Sequence, residues 1–206
     1  MATAIGTYAA LAAVKARLGK TDTTDDTLLT SLCDQVNAWI ESYTGRPITP
    51  YTATYTFDGP WTREGRTLVV PRGIRSITTL KVASGTGATL TTINSTDYFL
   101  LPREQDRAPG WPATRVQFSD VTTSAYTDVP FGYAVAEING AWGWAVEPDE
   151  VVAVAETAVV RAWHARQAGQ QDIIGTDETG APIVSRYVAP RDRDTLDVYR
   201  WKPGVW

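Results

Sequence analysis

The chain has 206 residues, of which 43% are apolar and 20% charged, so it can bury a core as one domain or as a domain with an appendage, and it is neither collagen-like nor wholly disordered. One Cys and one His exclude an internal disulfide framework and a Cys-rich zinc module. The net charge is −4, and acidic residues outnumber basic ones by one in each of the segments 1–50, 51–147, 148–168 and 169–206, which excludes a basic stripe for nucleic acid in the sequence.

The first 45 residues are predicted to form two helices. Over residues 8–18 apolar residues recur at spacings of three and four, and Gly19 suits a C-terminal cap. Over residues 25–44 the helical period continues until Gly45, after a stretch of Thr and Asp that favours an N-cap.

Residues 51–144 change to short runs rich in Thr, Val, Ile and aromatics, separated by Gly and Pro. This pattern is typical of β-strands joined by turns. The candidate strands are residues 52–57, 67–70, 77–83, 98–101, 115–118 and 134–140. We expect a small antiparallel β unit.

A third helix is predicted over residues 148–168. Pro148 suits the first helical position, and two acidic residues follow it at the positive end of the helix dipole. Residues 169–206 lose the period, and too few apolar residues share a face there to form a core. The predicted fold class is therefore α+β: a small helical bundle of two N-terminal helices and a long third helix, with an inserted antiparallel β unit and an extended C-terminal arm. The domain boundary is predicted between 168 and 169.

The sequence contains no pattern that would make an enzyme. Gly85-Thr86-Gly87 lacks the other residues of a phosphate-binding loop and predicts a hairpin turn instead. Cys33 lies on the apolar stripe of its helix and is expected to be a buried, inert thiol, while His164 has no neighbouring nucleophile. We expect no enzymatic activity, no metal and no cofactor.

Nothing in the sequence predicts export or membrane insertion. The first 19 residues lack the basic start of a signal peptide, and no run of 18 apolar residues occurs. We expect a soluble protein synthesised in the cytoplasm.

Eight tryptophans are the unusual feature of the composition. Trp39 and Trp163 lie on helix stripes and are expected in the core. Trp61 and Trp111 lie in Pro/Gly-rich loops and are candidate interface residues, with local packing as the alternative. Aromatic residues outside regular elements are enriched at protein interfaces.

Several stretches in order resemble the head-tail connector (adaptor) proteins of long-tailed bacteriophages, in the gp6-like and gp8-like connector families. Residues 11–18, 23–29 and 38–46 resemble their two N-terminal helices, and residues 70–77 with 97–98 resemble their first strands. Residues 137–144 with the helix after Pro148 resemble the closing strand, turn and long helix, and Pro190, Leu196 and Tyr199-Arg200 resemble the shared C-terminal ending. The loops 102–112 and 120–130 and Asp197 depart from the family pattern.

The resemblance implies a structural virion protein at the neck, at the capsid vertex of a particle assembled in a host. Such proteins form a ring, twelvefold in relatives, below the portal protein; the ring extends the channel for double-stranded DNA and docks a head-completion (stopper) or tail protein. DNA would pass without specific binding, and no membrane is involved. We hypothesise that the arm docks on the portal or on a neighbouring subunit and orders on binding, with Tyr187, Tyr199, Arg200, Trp201 and Trp206 as its partner-binding residues.

Alternatives from other classes remain at this point. Trp61, Trp111, Trp142 and Trp144 could stack on sugar rings in a carbohydrate-binding β module of a virion or host surface. A head-completion or tail-terminator protein is the neighbouring structural role.

Overall fold

The structure is a computed structural model that describes residues 6–59, 66–119, 132–167 and 188–201. The chain divides into two compact units. Met1–Thr49 and Glu147–Trp206 form the first, called here the helical unit, and Pro50–Val146 form the second, called the sheet unit.

Four α-helices make up the described part of the helical unit. They are α1 (Leu11–Leu18), α2 (Asp26–Thr44), α3 (Asp149–Gln167) and α4 (Pro190–Asp197). Glycines end the first two: Gly19 and Gly45 have φ of 64° and 72°, the left-handed conformation that a C-terminal cap requires and glycine adopts without strain.

Apolar stripes on α2 and α3 pack against each other and form the centre of the helical unit. Their buried residues include Leu29, Val36, Ile40, Val151, Ala158 and Val159. Polar contacts hold the entering chain on α2, because Gly6 N donates to Glu41 Oε1 at 2.7 Å and Ala9 N donates to the buried Asn37 Oδ1 at 2.8 Å. These bonds satisfy backbone groups that burial would otherwise leave unpaired.

The described residues of the sheet unit form a six-stranded, fully antiparallel sheet. Its strands are β1 (Tyr51–Gly59), β2 (Thr67–Val82), β3 (Thr91–Ile93), β4 (Tyr98–Leu101), β5 (Ala113–Phe118) and β6 (Gly132–Trp142). The order is β1-β6-β2-β5-β4, and β3 pairs with the end of β2. The loop with Gly85 and Gly87 joins β2 to β3, which confirms the predicted hairpin turn.

One face of the sheet carries the core of this unit. Side chains alternate across a strand, so Tyr51, Ala53, Tyr55 and Phe57 lie on the face that packs on the buried cluster, while the intervening threonines are exposed. Trp142 is at the centre of the cluster, with its indole Nε1 donating to Ala53 O at 2.9 Å and its ring edge-on to Tyr55.

Strand β2 is one long bent strand where the sequence predicts two. Residues 67–69 pair with β5 and residues 74–82 with β6, and the register with β5 shifts between Val69 and Ile74. Gly73 takes a φ of 73° in the bend. The Pro71-Gly73 stretch predicts a break, but pairing on both sides carries the strand through it.

The predicted architecture, a small helical bundle with a small inserted β unit, is wrong. The sheet has six strands and a buried cluster of its own, and it is an equal part of the molecule rather than an insertion. The extended arm is also wrong where the chain is described, since residues 190–197 form α4, which packs on α2 and α3. The boundary between 168 and 169 stays a prediction.

Within the residues that the structure describes, no helix is both long enough and apolar enough to cross a membrane.

Candidate functional site

The C-terminal segment, residues 188–201, is fastened to the helical unit through a few buried side chains. Leu196 is fully buried, Val188 and Tyr199 nearly so. Arg161 on α3 pairs with Asp192 on α4. The short helix α4 therefore contributes apolar residues to a core that α2 and α3 mostly supply.

Tyr199 is hydrogen-bonded through both its side chain and its backbone. Its hydroxyl donates to the Glu150 carboxylate at the start of α3, and its carbonyl oxygen accepts from Arg46 Nε at 3.1 Å. The hydrogen bond from Tyr199 lowers the pKa of Glu150, and burial, followed by that same bond, raises the pKa of Tyr199 above its ordinary value.

Arg46 lies just beyond the end of α2 and is itself buried. Burial lowers the pKa of its guanidinium to about 10. Its charge faces the ring of Trp201 at 5.8 Å, a cation–π arrangement, and Trp201 N donates to Thr44 O at 2.8 Å. The backbone of the segment is thereby fixed to the C-terminal end of α2.

The exposed side of the same segment presents Val198 and Arg200. The Val198 side chain is 60% exposed, and the guanidinium of Arg200 lies over the Tyr43 ring at 5.3 Å with about half of its side chain in solvent. Tyr43 OH donates to Asp197 Oδ1 at 2.8 Å. We call Val198, Arg200 and the half-buried Trp201 the C-terminal patch.

The predicted partner-binding residues thus fall into different places. Tyr199 is a buried anchor, while Arg200 and Trp201 belong to the C-terminal patch. Tyr187, Trp206 and Trp61 lie outside the described residues. Sequence analysis missed Arg46 and Glu150, the two groups that hold Tyr199; they are separated from it by 153 and 49 residues, and no local pattern indicates either contact.

Trp111 lies in the sheet unit, in the loop before β5. Its ring meets Trp144 edge-on, with centroids 5.5 Å apart, and it is half-buried. Trp142 and Trp144 are both buried, at 0% and 2% exposure, and Trp39 and Trp163 are in the helical core as predicted.

The described residues bring together no group of three or more His, Cys, Asp or Glu side chains that could hold a metal ion. Cys33 is buried, and burial raises the pKa of its thiol to about 11, so at neutral pH it is a poor nucleophile, as predicted. His164 is exposed on α3.

No family model matches the sequence, and no curated protein matches it. Among solved structures, the chain is similar to one from the neck of a native gene transfer agent (GTA) particle computed with C12 symmetry, with a TM-score of 0.52 and 16% sequence identity. The likeness covers 92% of this chain and 93% of that chain, so the two share a fold over nearly their whole length.

Two further similar structures come from the same kind of particle. One is the neck of an empty GTA particle computed with C6 symmetry (TM-score 0.49), the other the virion of a native GTA particle (TM-score 0.48). Each is 15% identical and covers 92% of this chain and 93% of its own.

Proposed function

We propose that this chain is a structural protein of the neck of a phage-like particle. As an adaptor it forms a ring below the portal, extends the DNA channel and docks the next neck or tail component. The observation that supports this most is the fold shared over nearly the full chain with a neck protein from a particle computed with C12 symmetry.

A closed ring needs two different complementary patches on each subunit. In this proposal the C-terminal patch is one of the contact surfaces, and it binds the portal or a neighbouring subunit. Tyr199 acts as the anchor that positions the patch rather than as a residue that enters the partner. Arg200 and Trp201 then contact the partner together with Tyr187 and Trp206, and residues 169–206 are the docking region.

The charge of the subunit supports the proposal that DNA passes through the channel without being bound. Several of the described cations are paired with carboxylates of the same chain: Lys15–Asp26, Arg17–Glu156, Lys20–Asp25, Lys81–Glu137, Arg161–Asp192 and Arg200–Asp197. Because the net charge is −4, the subunit as a whole repels the phosphates of DNA rather than attracting them.

Two of the four tryptophans that suggest carbohydrate binding are not accessible to a sugar. Trp142 and Trp144 are buried, so neither ring can stack on a sugar. The head-completion and tail-terminator roles share the neck location and differ only in which neighbour is bound.

The test is the mass of the portal before and after the purified full-length chain is added. We expect the mass to rise to a plateau by a whole number of subunits. Arg200→Ala should weaken attachment. Arg191→Ala serves as the matched control and should not, because Arg191 is an exposed arginine of the same C-terminal segment, on α4. Portal that never gains mass, or that gains it equally from a denatured chain, would contradict the proposal.

A further inference from the structure

The sheet unit contains a surface cleft of about 390 Å³ beside β5. Two arginines, Arg75 and Arg107, line it together with Glu104, residues 108–111 and Ala145. The Nε atoms of both arginines are buried and have no hydrogen-bond partner among the residues that the structure describes. Buried donor atoms on two arginines that line one cleft need an explanation, because buried polar groups are normally hydrogen-bonded.

A β-bulge delivers Arg75 to this place. Ile74 pairs with Trp142 and Ser76 with Ala141, so Arg75 is the extra residue on β2. Bulges of this kind re-aim a side chain and are common beside functional sites. Gly140 makes room for the bulge, since a Cβ at that position would lie 2.3 Å from Ser76 O.

Arg107 is held in place by hydrogen bonds within its own loop, which precedes β5. Its Nη1 donates to Trp111 O at 3.1 Å, and Trp111 N donates to Ala108 O at 3.0 Å. Ala145 N, in turn, donates to Gly110 O at 3.1 Å and ties the loop to the segment after β6. The Arg107 guanidinium is therefore held by its own loop before any ligand arrives, which lowers the entropic cost of binding.

The chemistry of the lining indicates an anion of modest size with an apolar stem. Guanidinium N–H groups form their strongest hydrogen bonds with carboxylates and phosphates. Trp111, Pro109, Ala108 and Ala145 supply an apolar wall beside them. The stem of a Glu side chain and its carboxylate match both parts.

We propose that this cleft binds the carboxylate of an acidic segment from another protein chain. Double-stranded DNA fits less well, because a duplex is too broad to enter a cleft of about 390 Å³. Glu104 also lines the cleft, so its two arginines and one carboxylate leave a single net positive charge to meet one carboxylate of the partner. The proposal is independent of the neck assignment and holds for any protein partner with an exposed acidic segment.

The experiment follows the Nε–H signals of Arg75 and Arg107 by nuclear magnetic resonance in the full-length protein, during titration with an N-acetylated penta-glutamate peptide. Both signals should shift and saturate. A penta-glutamine peptide and a short DNA duplex should leave them in place, and acetate at equal carboxylate concentration should bind more weakly. The proposal is overturned if the acidic peptide moves neither signal, if the glutamine peptide moves them equally, or if only DNA or acetate does so.

Calorimetry on variants provides a second readout. Arg75→Gln and Arg107→Gln should each weaken peptide binding about tenfold or more, since each removes a charge-assisted hydrogen bond. Arg161→Gln, in the helical unit, is the control and should bind as the parent does. Arg107 belongs to a loop, so its variant tests the proposal even if Arg75→Gln disturbs β2; unchanged binding by Arg107→Gln would refute the site.

Discussion

Replacing Leu196 with alanine should release the C-terminal segment from the helical unit. The Leu196 side chain is fully buried, and α4 packs on α2 and α3. The substitution removes three carbon groups, each worth about 0.8 kcal/mol of transfer free energy, or about 2.4 kcal/mol in all. Core substitutions of this type cost about 2.7–5 kcal/mol when the cavity stays open. A short helix can close over the lost volume, so we expect a cost of about 2.5 kcal/mol.

Amide hydrogen exchange measures this cost at a chosen place. Trp201 N donates to Thr44 O only while the segment is docked. If local undocking exposes this amide, 2.5 kcal/mol corresponds to about sixtyfold faster exchange. The amides of the sheet unit should exchange as before.

Val198→Ala is the matched control, because Val198 lies two residues further on and is 60% exposed. It should change the exchange of Trp201 by less than about twofold, since truncating an exposed side chain costs little. Equal effects of the two substitutions, or an unchanged Trp201 amide in Leu196→Ala, would refute the reasoning that burial of Leu196 docks the segment.

Three further predictions concern stability and reactivity. Gly140→Ala should lower the free energy of unfolding by about 3 kcal/mol in urea titrations, because its Cβ would lie 2.3 Å from Ser76 O, whereas Gly85→Ala, with open space around it, should be near neutral; a neutral Gly140→Ala would contradict the close approach. Burial raises the pKa of Tyr8 in the folded state, so the unfolded chain loses this proton first and stability should fall as pH rises above about 10; Tyr8→Phe should flatten that fall in alkaline denaturation curves, and an identical slope would count against it. Cys33 should react with a disulfide reagent at pH 8 at least about a hundredfold faster in urea than in the native protein, because burial raises its thiol pKa to about 11; equal rates would mean that the thiol is accessible.

The helices could be predicted because their signal is local. Apolar spacing and terminal glycines place the predicted helices 8–18, 25–44 and 148–168 over α1, α2 and α3. The strands were harder. Pro71 and Gly73 suggest a break in β2, yet β2 pairs with β5 before them and with β6 after them. The local sequence pattern does not indicate pairing between distant segments.

The packing of the C-terminal segment could not be predicted, for a different reason. The segment has too few apolar residues to form a core, and from this the sequence predicts an extended arm. Leu196 and Tyr199 instead complete a core that α2 and α3 provide. Whether the C-terminal segment packs into this core depends on the surface that α2 and α3 offer, and the segment's own residues do not indicate that surface. For the same reason Arg46 carries no sequence signal as the partner of Tyr199.

The site in the sheet unit also depends on long-range geometry. Trp111 could be selected from its loop context. That Arg75 and Arg107 line one cleft could not be predicted, because it depends on the β-bulge opposite β6 and on the hydrogen-bonded loop before β5. The two arginines are 32 residues apart in sequence.

Imaging intact particles by cryo-electron microscopy, with the chain carrying a small gold-binding tag, tests the central claim most directly. The account predicts density in a closed ring next to the portal, at the one vertex where the tail attaches, and loss of the tag signal when the chain is absent. Gold on the capsid faces, on the tail tip or nowhere on the particle would contradict it.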